Sequence, residues 1–73
     1  MMDIYENMEN QTKIFVKEQL HDAKNNSENA ARFQFIAFGA LLFSANHLFP
    51  CYNQKLADWW TDEILPQFRE LGA

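Results

Sequence analysis

A chain of 73 residues with one cysteine, two glycines and two prolines is unusual first for what it cannot build. Cys51 has no partner within the chain, so a disulfide-stapled extracellular scaffold is excluded and a reducing compartment, the cytoplasm, is expected. Gly39 and Gly72 are the only glycines, so there is no glycine-rich loop to cradle a phosphate and no nucleophile elbow. Basic residues are scarce as well. Six Lys and Arg face ten Asp and Glu, for a net charge of −4. The six are scattered from Lys13 to Arg69, and no cluster exists to displace counterions, so direct nucleic-acid binding is not expected. Residues 1–30 carry Asp3, Glu6, Glu9, Lys13, Lys17, Glu18 and Asp22 with no apolar run among them, and no secretory leader is expected. Strand-like alternation and internal repeats are also missing.

What the chain does have is the run from Phe33 to Phe49, with five of the seven Phe and no charged residue. At 100° per residue, Phe33, Phe35, Phe38 and Phe43 fall at about 0°, 200°, 140° and 280°. A helix that is apolar nearly all round must be enclosed by protein or by lipid. The uncharged stretch 33–52 has about the length that spans a bilayer. One reading is therefore a small membrane-associated protein with the 33–52 segment in the bilayer. Against it stand Gln34, Ser44, Asn46 and His47, Pro50 inside the span, and a mean hydropathy of −0.39. The two charge-rich flanking segments also need an apolar partner of their own. Enclosure by protein is the preferred reading.

Two breaks divide residues 1–73 into three helices of a single all-α domain, over about 4–23, 28–48 and 53–71. Asp3 and Glu6 have capping-box spacing before the first. Ile4, Met8, Phe15 and Val16 give that helix its apolar arc, with Tyr5, Thr12, Gln19 and Ala23 inside it and Ile14 and Leu20 at its flanks. The polar stretch 24–29 is the first break, with Ser27 expected to cap the second helix. Pro50 is the second break. Leu56, Trp60, Ile64 and Phe68 then form a ladder at four-residue spacing, extended by Leu71. Pro66 lies inside that ladder, and a kink or restart is expected there. Gly72 reads as a stop.

The central helix also carries a small-residue stripe, Ala30, Ala37, Ala40 and Ser44, within roughly 80°. Small residues let helices approach closely. Ala37, Ala40 and Ser44 are therefore candidates for self-association, unless helices of the same chain cover them. Phe35, Phe38, Leu42 and Phe49 lie opposite. The strip Glu28, Arg32, Gly39 and Asn46 is the expected route to solvent.

Catalytic parts are hard to find. His47 and Cys51 are four apart, but two ligands do not make a structural zinc site, and no third group orients them as a nucleophile pair. Asp62 and Glu63 are neighbours on a helix and point different ways. No metal, cofactor or enzymatic activity is expected. Trp59-Trp60 is more informative. The two are 100° apart, so Trp60 turns inward with the ladder and Trp59 sits at the edge. Trp59, with Tyr52 and the acidic rim Asp58, Asp62 and Glu63, is the candidate partner-binding set, suited to a basic protein surface.

Small size, acidity and a lone cysteine are similar to those of many small bacterial or phage accessory proteins that act by binding another protein. The expectation is an acidic protein–protein interaction module, an adaptor, modulator or inhibitor, with its apolar central helix completed by homodimerisation.

Overall fold

In a computed structural model the chain is all-helical. The structure describes the backbone of residues 4–47 and 50–72, and the side chains of residues 4–47 and 54–72. Helix α1 spans Ile4–Asn25 and α2 spans Ala30–Asn46. The third helix is continuous but changes pitch: α3 (Pro50–Trp59), a π-turn (Trp60–Ile64) and α4 (Leu65–Glu70). Asp3, Leu48 and Phe49 lie outside the described residues, so the Asp3 cap is not among the structural facts.

Helices α1 and α2 form an antiparallel hairpin. Ala23 and Ala30 are both buried at its closed end, and Thr12 meets Ser44 32 residues further along the chain. The corner is tighter than the sequence suggests. Ser27 does not cap α2; Ser27–Asn29 winds as a short 3-10 turn and α2 begins at Ala30. Backbone bonds do the work that a side-chain cap would have done. Asn26 donates to the carbonyl of Ala23 at 3.2 Å, and Asn29 to that of Asn26 at 3.1 Å. Such i→i+3 bonds satisfy helix-end groups without a cap.

Pro50 opens the third helix at its first position, three residues before the expected start. The missing N–H is harmless there, and the fixed φ suits a first turn. Pro66 has the opposite effect. It donates no bond, and its ring crowds the carbonyl four residues back. The chain responds by widening: the Leu65 N–H reaches back to the carbonyl of Trp60. The expected kink or restart takes this form, a π-turn just ahead of the proline. Gln67 adds a side-chain bond to the carbonyl of Glu63 at 2.6 Å. Gly72 ends the helix at a φ of +86°, a left-handed conformation that suits glycine.

The core lies where the three helices meet. Val16, Leu20 and Ala23 come from α1, Ala30, Ala37 and Leu41 from α2, and Leu56, Trp60, Ile64 and Phe68 from the third helix. Four rungs of the expected ladder are therefore buried, and Leu71, its extension, is half-buried against them. Phe68, Leu56 and Val16 are the largest side chains with essentially no exposure, each contributing about 1.5–3 kcal/mol of transfer free energy. The Trp60 ring ties the core together, with its centroid 5.3 Å from Phe38 and 5.9 Å from Phe68. On α1 the buried arc is narrower than expected. It centres on Val16 and takes in Glu9, Thr12, Leu20 and Ala23, while Ile4, Ile14 and Phe15 are exposed. With one helix pair to pack against, α1 has cover for one side only.

Candidate functional site

The small-residue stripe of α2 faces into this core. Ala37 is fully buried, and Ala40 and Ser44 are half-buried. The Thr12 hydroxyl bonds the Met8 carbonyl at 2.8 Å and lies 2.6 Å from the Ser44 hydroxyl. A carbonyl only accepts and Thr12 has one proton, so Ser44 supplies the proton of the second bond. The stripe thus lies inside the chain's own hairpin, and Ala37 is not free for the self-association contact expected of Ala37, Ala40 and Ser44.

With its small side turned inward, α2 turns its large side outward. Phe35 is 81% exposed, Phe43 68%, Leu42 48%, Ile36 41% and Phe38 39%. On the helical wheel these five lie within about 160° and surround Gly39. The expected solvent strip is exposed as well, with Glu28, Arg32, Gly39 and Asn46 all open. It runs through the middle of the apolar face. Phe38 bridges inside and outside: its ring lies near Trp60 and also borders a groove lined with Ala31, Gln34 and Phe35. At the far end Phe43 packs on the exposed His47 ring at 4.7 Å. Within Ala30–Asn46 the only charged side chain is Arg32.

The partner-binding set expected from sequence is only partly assembled. Trp59 is half-buried and packed against the core. The Lys13 ammonium of α1 lies 5.4 Å from its ring centroid, while Lys13 also pairs with Glu9 at 3.0 Å. Trp59 is thus already engaged by the first helix. Asp58, Asp62 and Glu63 are exposed, and Asp58 accepts a bond from Gln54 at 2.8 Å. Nearby, Lys24 donates to Gln67 at 2.9 Å and ties the end of α1 to the third helix. The side chains of Tyr52 and Cys51 lie outside the described residues, so neither the Tyr52 edge nor the His47–Cys51 spacing has a described geometry.

Among the described residues no group of three or more His, Cys, Asp or Glu is placed to hold a metal ion, and no helix is long and apolar enough to cross a membrane. No protein-family model matches this sequence, and no curated protein or solved structure matches it either.

The dominant surface feature is therefore the outer face of α2. Sequence reading placed Phe35, Phe38 and Leu42 together on one side, but expected protein to cover that side. The expected solvent strip of Glu28, Arg32, Gly39 and Asn46 already carried the signal, but only the strip itself was expected to face water. A strip that polar, crossing that close to the phenylalanines, already meant that one apolar side faced outward.

Proposed function

We propose that this chain is a small cytoplasmic protein-interaction module, an adaptor, modulator or inhibitor completed by homodimerisation, with no catalytic step of its own. One observation carries this reading: α2, which has no acidic residue of its own, holds five large apolar side chains in water on one face. At about 150–250 Å² per aromatic side chain, and somewhat less per aliphatic one, the patch is on the order of 500 Å². Monomeric proteins rarely leave more than a few hundred Å² of contiguous apolar surface bare, and such patches mark interaction sites. The exposed carboxylates of Asp58, Asp62 and Glu63, beside Trp59, give the third helix a second surface that favours a basic partner protein.

Sedimentation velocity on wild type and on Phe35→Glu tests this, with flotation on phosphatidylcholine vesicles as the companion measurement. The expected result is association of the wild type at micromolar concentration, loss of association in Phe35→Glu at unchanged helicity, and no flotation. A wild type that stays monomeric and floats with the vesicles would replace this reading with the membrane-associated one.

A further inference from the structure

We infer that the occupant of the α2 outer face is a second copy of the same face, docked antiparallel across a two-fold axis at Gly39. The inference rests on the interaction-module reading above and adds its geometry. An isologous contact must be self-complementary, so each residue meets its counterpart at a fixed sum of positions. In an antiparallel helix pair centred on residue 39, Phe35 meets the second copy's Phe43, and Ile36 meets its Leu42. Phe35, Ile36, Leu42 and Phe43 are four of the five large apolar residues exposed here, and they are symmetric about Gly39 in sequence and in face.

Gly39 supports the same centre. Glycine weakens a helix interior, yet a Cβ at this position would meet nothing within 4 Å. Among the described residues nothing asks for glycine there. A crossing helix does, because the absent side chain lets two backbones approach at the axis.

Arg32 supports the antiparallel sense. It lies in the first turn of α2, where the helix dipole disfavours a cation, with Glu28 of the preceding 3-10 turn as its nearest acid in sequence. Antiparallel docking sets it beside Asn46 of the second copy, at the end of that copy's α2. The dipole there favours a cation, and the last carbonyls lack helical partners. Area is sufficient: two patches of this size bury on the order of 1,000 Å², the lower bound for a specific interface, before the polar rim is added. The acids all lie outside α2, and Glu28 just ahead of it would face position 50 of the second copy rather than its own counterpart, so no acidic pair is forced together at the seam.

Charge complementation tests the geometry. Phe35→Glu, Phe35→Lys and Phe43→Lys are prepared separately, and circular dichroism checks that each retains its helicity, since both positions are exposed. The wild type is expected to be dimeric by sedimentation, and each variant to dimerise at least about tenfold more weakly. Mixing Phe35→Glu with Phe43→Lys should restore a dimer that native mass spectrometry identifies as mixed, because positions 35 and 43 meet across the axis. Mixing Phe35→Glu with Phe35→Lys should not. If the second mixture recombines and the first does not, the helices pair in parallel and the inference is overturned while the module reading stands. Variants that remain as dimeric as the wild type would overturn both.

Discussion

Trp59 and Trp60 are adjacent in sequence but differ in what they hold, and replacing each by alanine separates the two roles. Trp60 is 5% exposed and packs its ring at a tilt against Phe38 and Phe68, so Trp60→Ala empties the centre of the core. Large-to-alanine changes at such sites cost about 3–5 kcal/mol. For a chain of this length the total stability is roughly 4–11 kcal/mol, at about 0.05–0.15 kcal/mol per residue. Trp60→Ala therefore removes a large share of it. Trp59 is half-buried, and its ring holds the Lys13 ammonium. Losing an exposed cation–π contact costs about 0.5–1 kcal/mol, and the half-buried ring adds about 1 kcal/mol more. The difference of about 2–3 kcal/mol corresponds to roughly 10–20 °C in Tm for a domain of this size. Thermal melts by circular dichroism, at one fixed chain concentration because association raises apparent stability, read it directly. Equal losses of Tm in the two variants would show that Trp59 is as much a core residue as Trp60, and would remove it from any binding surface.

Ala37→Leu forces a larger side chain into a fully buried helix contact and should lower stability by about 1–3 kcal/mol, seen as a reduced urea midpoint at unchanged slope. Thr12→Val should cost about 0.5–1.5 kcal/mol by leaving the Ser44 hydroxyl without its partner. A double-mutant cycle with Ser44→Ala should show coupling between the two, and strict additivity would mean that the bond contributes nothing. Gly39→Ala, made in the Phe35→Glu background to remove self-association, should raise stability by about 0.5–1 kcal/mol because its new Cβ meets open space. A fall in Tm there would mean that something already packs on Gly39 within one chain.

How much of this could be read beforehand depends on which forces are local. The ladder Leu56–Trp60–Ile64–Phe68 follows from periodicity alone, and the structure places all four in the core; periodicity also groups Ala30 and Ala37 on one stripe, but not which helix covers it. Pro66 and Gly72 act through backbone sterics, which also belong to the sequence. What periodicity does not carry is how many neighbours stand ready to cover a face. The α2 wheel puts Phe35 and Leu42 on one side, but whether that side meets protein or water depends on where the first and third helices run. Ile4 and Phe15 were misjudged for the same reason: they share an arc with Val16 but lie at its uncovered edge. Ser27 was misjudged differently. Its preference for capping is real, but a 3-10 turn satisfied the same backbone groups first. For a candidate interaction site, sequence reading gives Trp59, at the edge of the ladder, with the acidic rim Asp58, Asp62 and Glu63. The structure directs attention to α2, where exposure adds what residue type alone could not.

The π-turn ahead of Pro66 sets the phase of everything after it. Residues four apart on an α-helix advance 40° beyond a full turn, so a ladder repeating every four residues slowly winds off the face it started on. By the third step, from Leu56 to Phe68, a uniform helix would have swung the last rung about 120° out of line. The wider turn at Trp60–Ile64 absorbs extra residues per revolution and brings the sequence spacing back into step with the core. Insertions and deletions should therefore be judged here as rotations rather than as changes of length. A deletion elsewhere in the helix would turn Phe68 and Leu71 by about 100°, whereas removing Thr61 would let the π-turn close into regular α geometry and leave them facing the core, since about eleven residues at 100° each come within about 20° of three full turns. Five residues of irregular helix thus act as a clutch, taking up one residue of slip while the C-terminal turn stays engaged with the core.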